Sequence, residues 1–517
     1  MLVTGIVTTL REARIARQNE ARAERRLQQT RELTSSLIGE LPDALGEGPT
    51  QAKALMNAKA LEYLKQLIEE ESANPKLSFD LAVAHFQLAD SLGNPGNSNT
   101  GDLAGAKENY RQAIDLLEHQ LKIDPSNISV RYYLSVSYNG YSVAILWTDV
   151  STALEMQKKT LALLPPDELA VDLSPSQRSH DLVAQQDLGH SHFIGATHLS
   201  LQGMREQAYE LIAEDYGDPY FANLGDTSQG LENMQKAVKL VELLHKTYPY
   251  DYGVTRALYY SYIQTAAILW AHGKNKEALE FQKRGEEVLD SLSVKAIVGA
   301  QAPRHHILRE ERATAMTRSA GLLLDMDRLQ EARAALRESR EMLESLFWND
   351  SMNAGLRRDL TRNYNMSADA LGRSGEMMQS LDLYQKALAL SEEVLTVQPD
   401  LPNVRQQYAD SHEGLGNLLL QMGKNASALE NCRKALGIRQ SLAKLDVHDA
   451  LYAFSLAKNY MSLAQILAKT RDRPGAISSL HSALEIQESL AAKDPANALV
   501  ARDLASARRQ LRDLHRK

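Results

Sequence analysis

A 48-residue period governs the second half of this chain. Ala387, Ala435 and Ala483 stand 48 residues apart, and so do Ser380, Ala428 and Ala476, with Ala332 one period before Ser380. Self-similarity at a fixed spacing in this range comes from one supersecondary unit stacked on copies of itself. Such a chain grows by adding units rather than by enlarging one core, so 517 residues need not divide into several domains. Its functional surface is a long groove rather than a pocket.

Composition selects the unit. Ala, Leu, Glu, Gln, Lys and Arg dominate, all good helix formers, and aromatics make up only 6%. Each period reads as a helix A, a tight turn at glycine and a helix B. The turn glycines are Gly101, Gly225, Gly273, Gly375 and Gly423. Five residues later helix B carries a small side chain that lets helices approach closely. These small residues key eight helix pairs: Ala106, Ala153, Gly230, Ala278, Ala332, Ser380, Ala428 and Ala476. A second small residue follows at Ala113, Ala237, Gly285, Ala387, Ala435 and Ala483, and Tyr110 and Tyr384 fill the gaps between.

Leu415-Gly416, Gly423, Ala428 and Ala435 reproduce the spacing of the tetratricopeptide repeat, which the chain resembles. The resemblance implies an all-α, right-handed superhelical solenoid of helical hairpins. In that family a proline closes the repeat five residues after the second alanine. Here it comes twelve after, at Pro125, Pro249, Pro399 and Pro495. Seven residues are therefore added to helix B, and about as many to helix A. Proline also disfavours helical geometry in the residue before it, so each marks a helix end.

The expected organisation follows. Residues 1–10 are an apolar stub, and 11–45 an Arg-rich helix with seven Arg and three Glu over 11–31. Residues 50–76 are an amphipathic capping helix. The solenoid runs from 77 to 500, and 501–517 is a charged helical end. Two surpluses break the beat, one of 29 residues placed at an irregular insertion over 203–225, the other of six around 291–304. Residues 93–102 read as a loop.

The charge, 58 Lys+Arg against 66 Asp+Glu, gives −8, which disfavours nucleic acid as partner. The single cysteine, Cys432, allows no internal disulfide and falls at a core position of the repeat. His180, His190, His192 and His198 lack the spacing of a metal site. Phosphate-loop, HExxH, nucleophile-elbow and kinase motifs are all absent. No enzyme activity, cofactor, metal or small-molecule substrate is expected.

The expected ligand is a protein or peptide held in the concave groove lined by helix A. Counting back from the turns places Arg362, Asn365, Asp369, Arg373, Asp410 and Glu413 on that wall. Asn417, Lys458, Gln465 and Lys469 continue it. This mixed-charge set suits an extended peptide. Tyr138, Tyr141, Tyr260, Ile263 and Trp270 are candidate apolar anchors nearer the N-terminus. The helix over 11–40 could pair with a copy of itself.

Residues 11–45 followed by long-helix repeats are similar to the C-terminal part of bacterial membrane-anchored serine/threonine kinases. In that family an apolar helix runs into an Arg/Ala/Glu-rich one, as Met1–Leu10 runs into Arg11–Arg26 here. The resemblance implies a sensor or regulatory region whose catalytic domain is missing from this chain. Residues 1–10 are too short to span a bilayer. The chain is expected to be cytoplasmic, with membrane association as the alternative.

Overall fold

A computed structural model describes residues 75–516 except 95–98, 165–197, 250 and 299–304, together with parts of a helix over 52–62. The stub, the Arg-rich helix and most of the capping helix lie outside the described residues, as do His180, His190 and His192. The architecture is an all-α right-handed superhelical solenoid of long tetratricopeptide-like hairpins.

The helices, in chain order, are α1 Pro75–Gly93, α2 Leu103–Ile123, α3 Ile128–Ile145, α4 Val150–Leu163, α5 His198–Gly217 and α6 Thr227–Thr247. They continue as α7 Tyr252–Ala271, α8 Asn275–Val298, α9 His305–Asp325, α10 Leu329–Asn349, α11 Ala354–Arg373 and α12 Met377–Val397. The last are α13 Pro402–Gln421, α14 Asn425–Leu445, α15 Ala450–Lys469, α16 Arg473–Lys493 and α17 Ala498–Arg516. Odd-numbered helices up to α15 are the A members of hairpins and even-numbered ones the B members.

The period recurs in the helix starts. Helices α11, α13, α15 and α17 begin at Ala354, Pro402, Ala450 and Ala498, 48 residues apart. Helices α2, α6, α12 and α16 each end two residues before Pro125, Pro249, Pro399 and Pro495. The small residues of helix B are sealed between helices, with Ala106, Ala278, Ala332, Ser380, Ala428 and Ala476 fully buried. Tyrosine and glycine interlock from one hairpin to the next. A Cβ on Gly140 would sit 2.3 Å from the Tyr110 ring, and one on Gly414 2.4 Å from the Tyr384 ring. Cys432 is buried, and burial pushes its thiol up to about 12.

All five turn glycines have positive φ, where a Cβ would strain the backbone. Two hairpins place other residues at this position, Asp327 (φ 59°) and Arg471 (φ 66°).

One expectation is corrected. Residues 203–225 are no insertion. They form most of the regular helix α5, with Ala208, Ile212 and Ala213 buried along its apolar side, and the turn after it. The surplus instead precedes His198, outside the described residues. The loop at 93–102 is also tied down where it is described. Thr100 N–H donates to the Ser91 carbonyl (3.2 Å) and Gly101 N–H to Asn99 Oδ1 (2.9 Å).

The solenoid winds onto itself after five hairpins. The α1–α2 turn meets the start of α11, where Ala354 N–H donates to the Asn99 carbonyl (3.0 Å). The α5–α6 turn meets the start of α15, where Ala450 N–H donates to the Asn223 carbonyl (2.7 Å). Asn99-Thr100-Gly101-Asp102 and Asn223-Leu224-Gly225-Asp226 share one pattern, and in both the Asn side chain braces the glycine N–H. A Cβ on Gly101, Gly225 or Gly273 would lie 3.0, 2.7 or 2.8 Å from the Cβ of Ala354, Ala450 or Ala498. The later glycines, Gly375 and Gly423, face open space.

The contacts are reciprocal. Asp446 Oδ2 accepts from Val150 N–H (2.9 Å), the first residue of α4. Asp494, one period later, accepts from Thr227 N–H (3.0 Å) and Thr227 Oγ1 (2.7 Å) at the start of α6. Helix N-termini carry unsatisfied N–H groups and partial positive charge, so a carboxylate there stabilises them. The Tyr452 hydroxyl donates to the Trp147 carbonyl (2.7 Å), and Asp325 joins Trp270 (2.7 Å) to Arg502 of α17 (2.8 Å).

Two outcomes are expected. Arg471→Gly relieves the left-handed turn and raises the denaturation midpoint, with a gain of about 1 kcal/mol. Asp446→Ala with Asp494→Ala removes two capping carboxylates at about 1 kcal/mol each. Hydrogen exchange should then accelerate at Val150 and Thr227, and small-angle scattering should report a longer particle.

Candidate functional site

Helix A of each hairpin packs on the A helices before and after it, and their side chains meet along the inner side of the superhelix. The central cluster is ionic. On α9, Glu311 pairs with Arg256 of α7 and accepts the Tyr260 hydroxyl (3.1 Å). On α11, Arg358 pairs with Asp359 (2.9 Å), whose other oxygen accepts from Thr314 of α9 (2.8 Å). Burial pushes the Asp359 carboxyl up, but Arg358 outweighs that and holds it below the ordinary range. The Glu310 carboxyl is pushed up to about 8, by burial first and then by the charge of Asp359.

Helix α5 supplies acids that the sequence reading missed. Glu206, Glu210 and Glu214 recur every fourth residue on one face, all buried, and Asp218 follows just past the helix end. The Ser261 hydroxyl of α7 lies 2.8 Å from Glu206 Oε1 and 2.6 Å from Glu210 Oε1. It has one proton for two carboxyls. The Gln264 amide of α7 donates to Glu214. Burial raises all three carboxyls, that of Glu206 to about 7, and the neighbouring Glu206 charge adds to the rise at Glu210. Four carboxyls at a spacing of four read in sequence as a solvated helix face. Here the neighbouring A helix, α7, covers that face and supplies its hydrogen-bond donors.

Further along, Arg439 comes inward from a B helix, α14, and is 3% exposed. Its guanidinium forks to Glu413 and Asp410 of α13, each at 2.6 Å, and donates to the Ser455 carbonyl (2.9 Å). Burial pushes the Glu413 carboxyl up, but the charges of Arg439 and Lys458 prevail and hold it down. Lys458 of α15 also acts on the carboxyls of Asp410 and of Asp369 on α11, so three successive A helices face one another across it.

The residues read from sequence divide accordingly. Asp369, Arg373, Lys458, Gln465 and Lys469 are exposed, and Asn365, Asp410 and Asn417 are half-buried. Asp369 accepts the Tyr384 hydroxyl, Arg373 donates to the Leu324 carbonyl (3.2 Å), and Asn417 donates to Ser462 Oγ (3.4 Å). Lys458 lies over the Phe454 ring (5.7 Å). Arg362 lies over the Tyr220 ring at 5.4 Å. Tyr260 and Trp270 are half-buried, their polar atoms held by Glu311 and Asp325.

Three expectations are corrected. Glu413 is buried and committed to Arg439 and to Ser462 (2.8 Å), so it is no free groove contact. Tyr138 lies in the core between α2 and α3, its hydroxyl donating to Glu118 (2.6 Å). Ile263 packs in the core against Gly285. Repeat helices need bulky residues between hairpins, and helical spacing alone does not separate that side from the axial one. Among the described residues there is no cluster of His, Cys, Asp and Glu able to hold a metal ion, and no helix long and apolar enough to cross a membrane.

The acidic pair on α5 generates a pH prediction. Glu206 is raised from 4.5 to about 7 in the folded chain. As pH rises across that window the unfolded chain releases its proton first, so stability is lost as pH passes through the folded value. Glu206→Gln should therefore match the parent near pH 4.5 and exceed it at pH 8 by about 2 kcal/mol. Urea denaturation at the two pH values measures this, and equal stability at both would contradict the buried pair.

A tetratricopeptide-repeat family model matches residues 409–442, the C-terminal part of α13 and most of α14. No curated protein sequence matches the chain. Among solved structures, the Rap protein complexed with competence and sporulation factor is 12% identical and covers 85% of this chain and 99% of its own, with a TM-score of 0.43. A human IFIT1 dimer with m7Gppp-AAAA is 14% identical over 84% of this chain and 80% of its own (TM-score 0.38). BtubC from P. vanneervenii is 15% identical over 51% of this chain and 92% of its own (TM-score 0.36). The chain thus contains a tetratricopeptide repeat within a longer array of similar hairpins.

Proposed function

We propose that the chain is a binding scaffold that holds an extended peptide segment of a protein partner along the inner wall of its second winding. The observation that carries this reading is the row of polar side chains on α11, α13 and α15. Asp369, Arg373, Lys458, Gln465 and Lys469 keep accessible charged or amide groups, with Asn365 and Asn417 beside them. Fixed donors and acceptors on rigid helices suit main-chain and side-chain groups of an extended ligand. Arg373 and Lys469 end their helices, where the helix dipole favours positive charge. Docking onto a preformed wall requires little backbone rearrangement.

Selection of a displayed random-peptide library on the chain tests the reading. Wild-type protein should enrich a defined motif. Lys458→Glu with Lys469→Glu, both exposed, should weaken the selected peptides by about tenfold or more, with helical content unchanged. No enrichment, or equal affinity for both proteins, would sink it.

A further inference from the structure

The α5–α6 turn does more than join two helices. Its residues Asp218-Pro219-Tyr220-Phe221 lie against the inner wall, and Tyr220 reaches three A helices at once. The ring lies tilted by 32° against Trp270 of α7, with centroids 5.7 Å apart. The guanidiniums of Arg318 on α9 and Arg362 on α11 each lie 5.4 Å from its centroid. The hydroxyl donates to the Arg318 carbonyl (3.2 Å). A Cβ on Gly321 would stand 3.0 Å from that hydroxyl and 3.2 Å from the Met366 methyl, so glycine makes the room. Arg318 also reaches the Phe221 ring (5.4 Å), and the charges of both arginines act on the Asp218 carboxyl against the rise that burial causes.

These groups make a receptor for a tyrosine side chain: an indole wall, two cations on the ring, a carbonyl for the hydroxyl and a glycine floor. Cation–π contacts with desolvated guanidiniums are among the stronger ring contacts in proteins. The occupant comes from a turn fixed elsewhere. Asn223 holds the turn through its side chain to the Asp218 and Phe221 carbonyls (3.0 and 2.8 Å), and through its carbonyl to Ala450. Only the Tyr220 side chain need rotate to vacate the pocket.

We infer that the pocket of Trp270, Arg318, Gly321, Arg362 and Met366 is a ligand subsite for a tyrosine side chain, and that Tyr220 fills it as an internal stand-in for a partner peptide. This deepens the proposed function, on which it rests, by naming the partner's chemistry. A partner tyrosine competes with a tethered one, so wild-type affinity for it is low and rises when the tether is removed.

The probe is the hexapeptide Asp-Pro-Tyr-Phe-Ala-Asn, labelled and titrated by fluorescence anisotropy. Tyr220→Ala should bind it at least about tenfold tighter than the parent chain, and adding Arg362→Gln should abolish the gain. Pro219→Gly, which loosens the turn without emptying the pocket, should give a gain of a few-fold and serves if Tyr220→Ala does not fold. A folded Tyr220→Ala or Pro219→Gly chain that binds no better than wild type overturns the inference. If library-selected peptides still bind that variant through Lys458 and Lys469, the inference falls and the scaffold reading stands. If neither they nor the probe bind, both fall.

Discussion

The fold depends on helix N-termini in one winding finding their acceptors in the other. Asp446 and Asp494 cap α4 and α6, while the Asn99 and Asn223 carbonyls receive the first N–H groups of α11 and α15. Hairpin packing already brings successive A helices together along the axis. These polar contacts, directional and short, add a second set of attachments that ties one winding to the next.

Two kinds of interior result. Between hairpins the core is apolar and built from alanine, leucine and tyrosine set into glycine. Along the axis it is ionic, and the charges are matched unevenly. Arg439 holds the Glu413 carboxyl down and Arg358 that of Asp359, whereas burial prevails at Glu206, Glu210 and Glu214, whose partners are mainly hydroxyl and amide donors. Water-poor surroundings disfavour those carboxylates, which makes the region around α5 sensitive to pH.

Much of the hairpin was legible in the sequence. The turn glycines carry positive φ, the small residues are sealed between helices, and helices end ahead of the repeat-closing prolines. These are local signals, and each has one steric cause. The winding was not legible, because its contacts join residues 177 to 305 positions apart and use side chains, Asp and Asn, that also serve as ordinary caps. The site was legible in part for the same reason. Exposed Arg373, Lys458 and Lys469 follow from counting along helix A. Glu413 was misread because its partner, Arg439, comes from a B helix, and residues 203–225 because a helix with little apolar periodicity ends in a Gly-, Pro- and Tyr-rich turn.

The seam between windings also limits how such a protein can change in length. An open array tolerates gain or loss of a unit anywhere, since each unit touches only its neighbours. Here a hairpin added between α6 and α15 would carry Asp446 and Asp494 one place round the spiral, past the helices they cap. Both carboxylates would face the wrong N-termini at once. Variation in repeat number is therefore confined to the two ends, and the middle of the chain is held to a fixed count of hairpins.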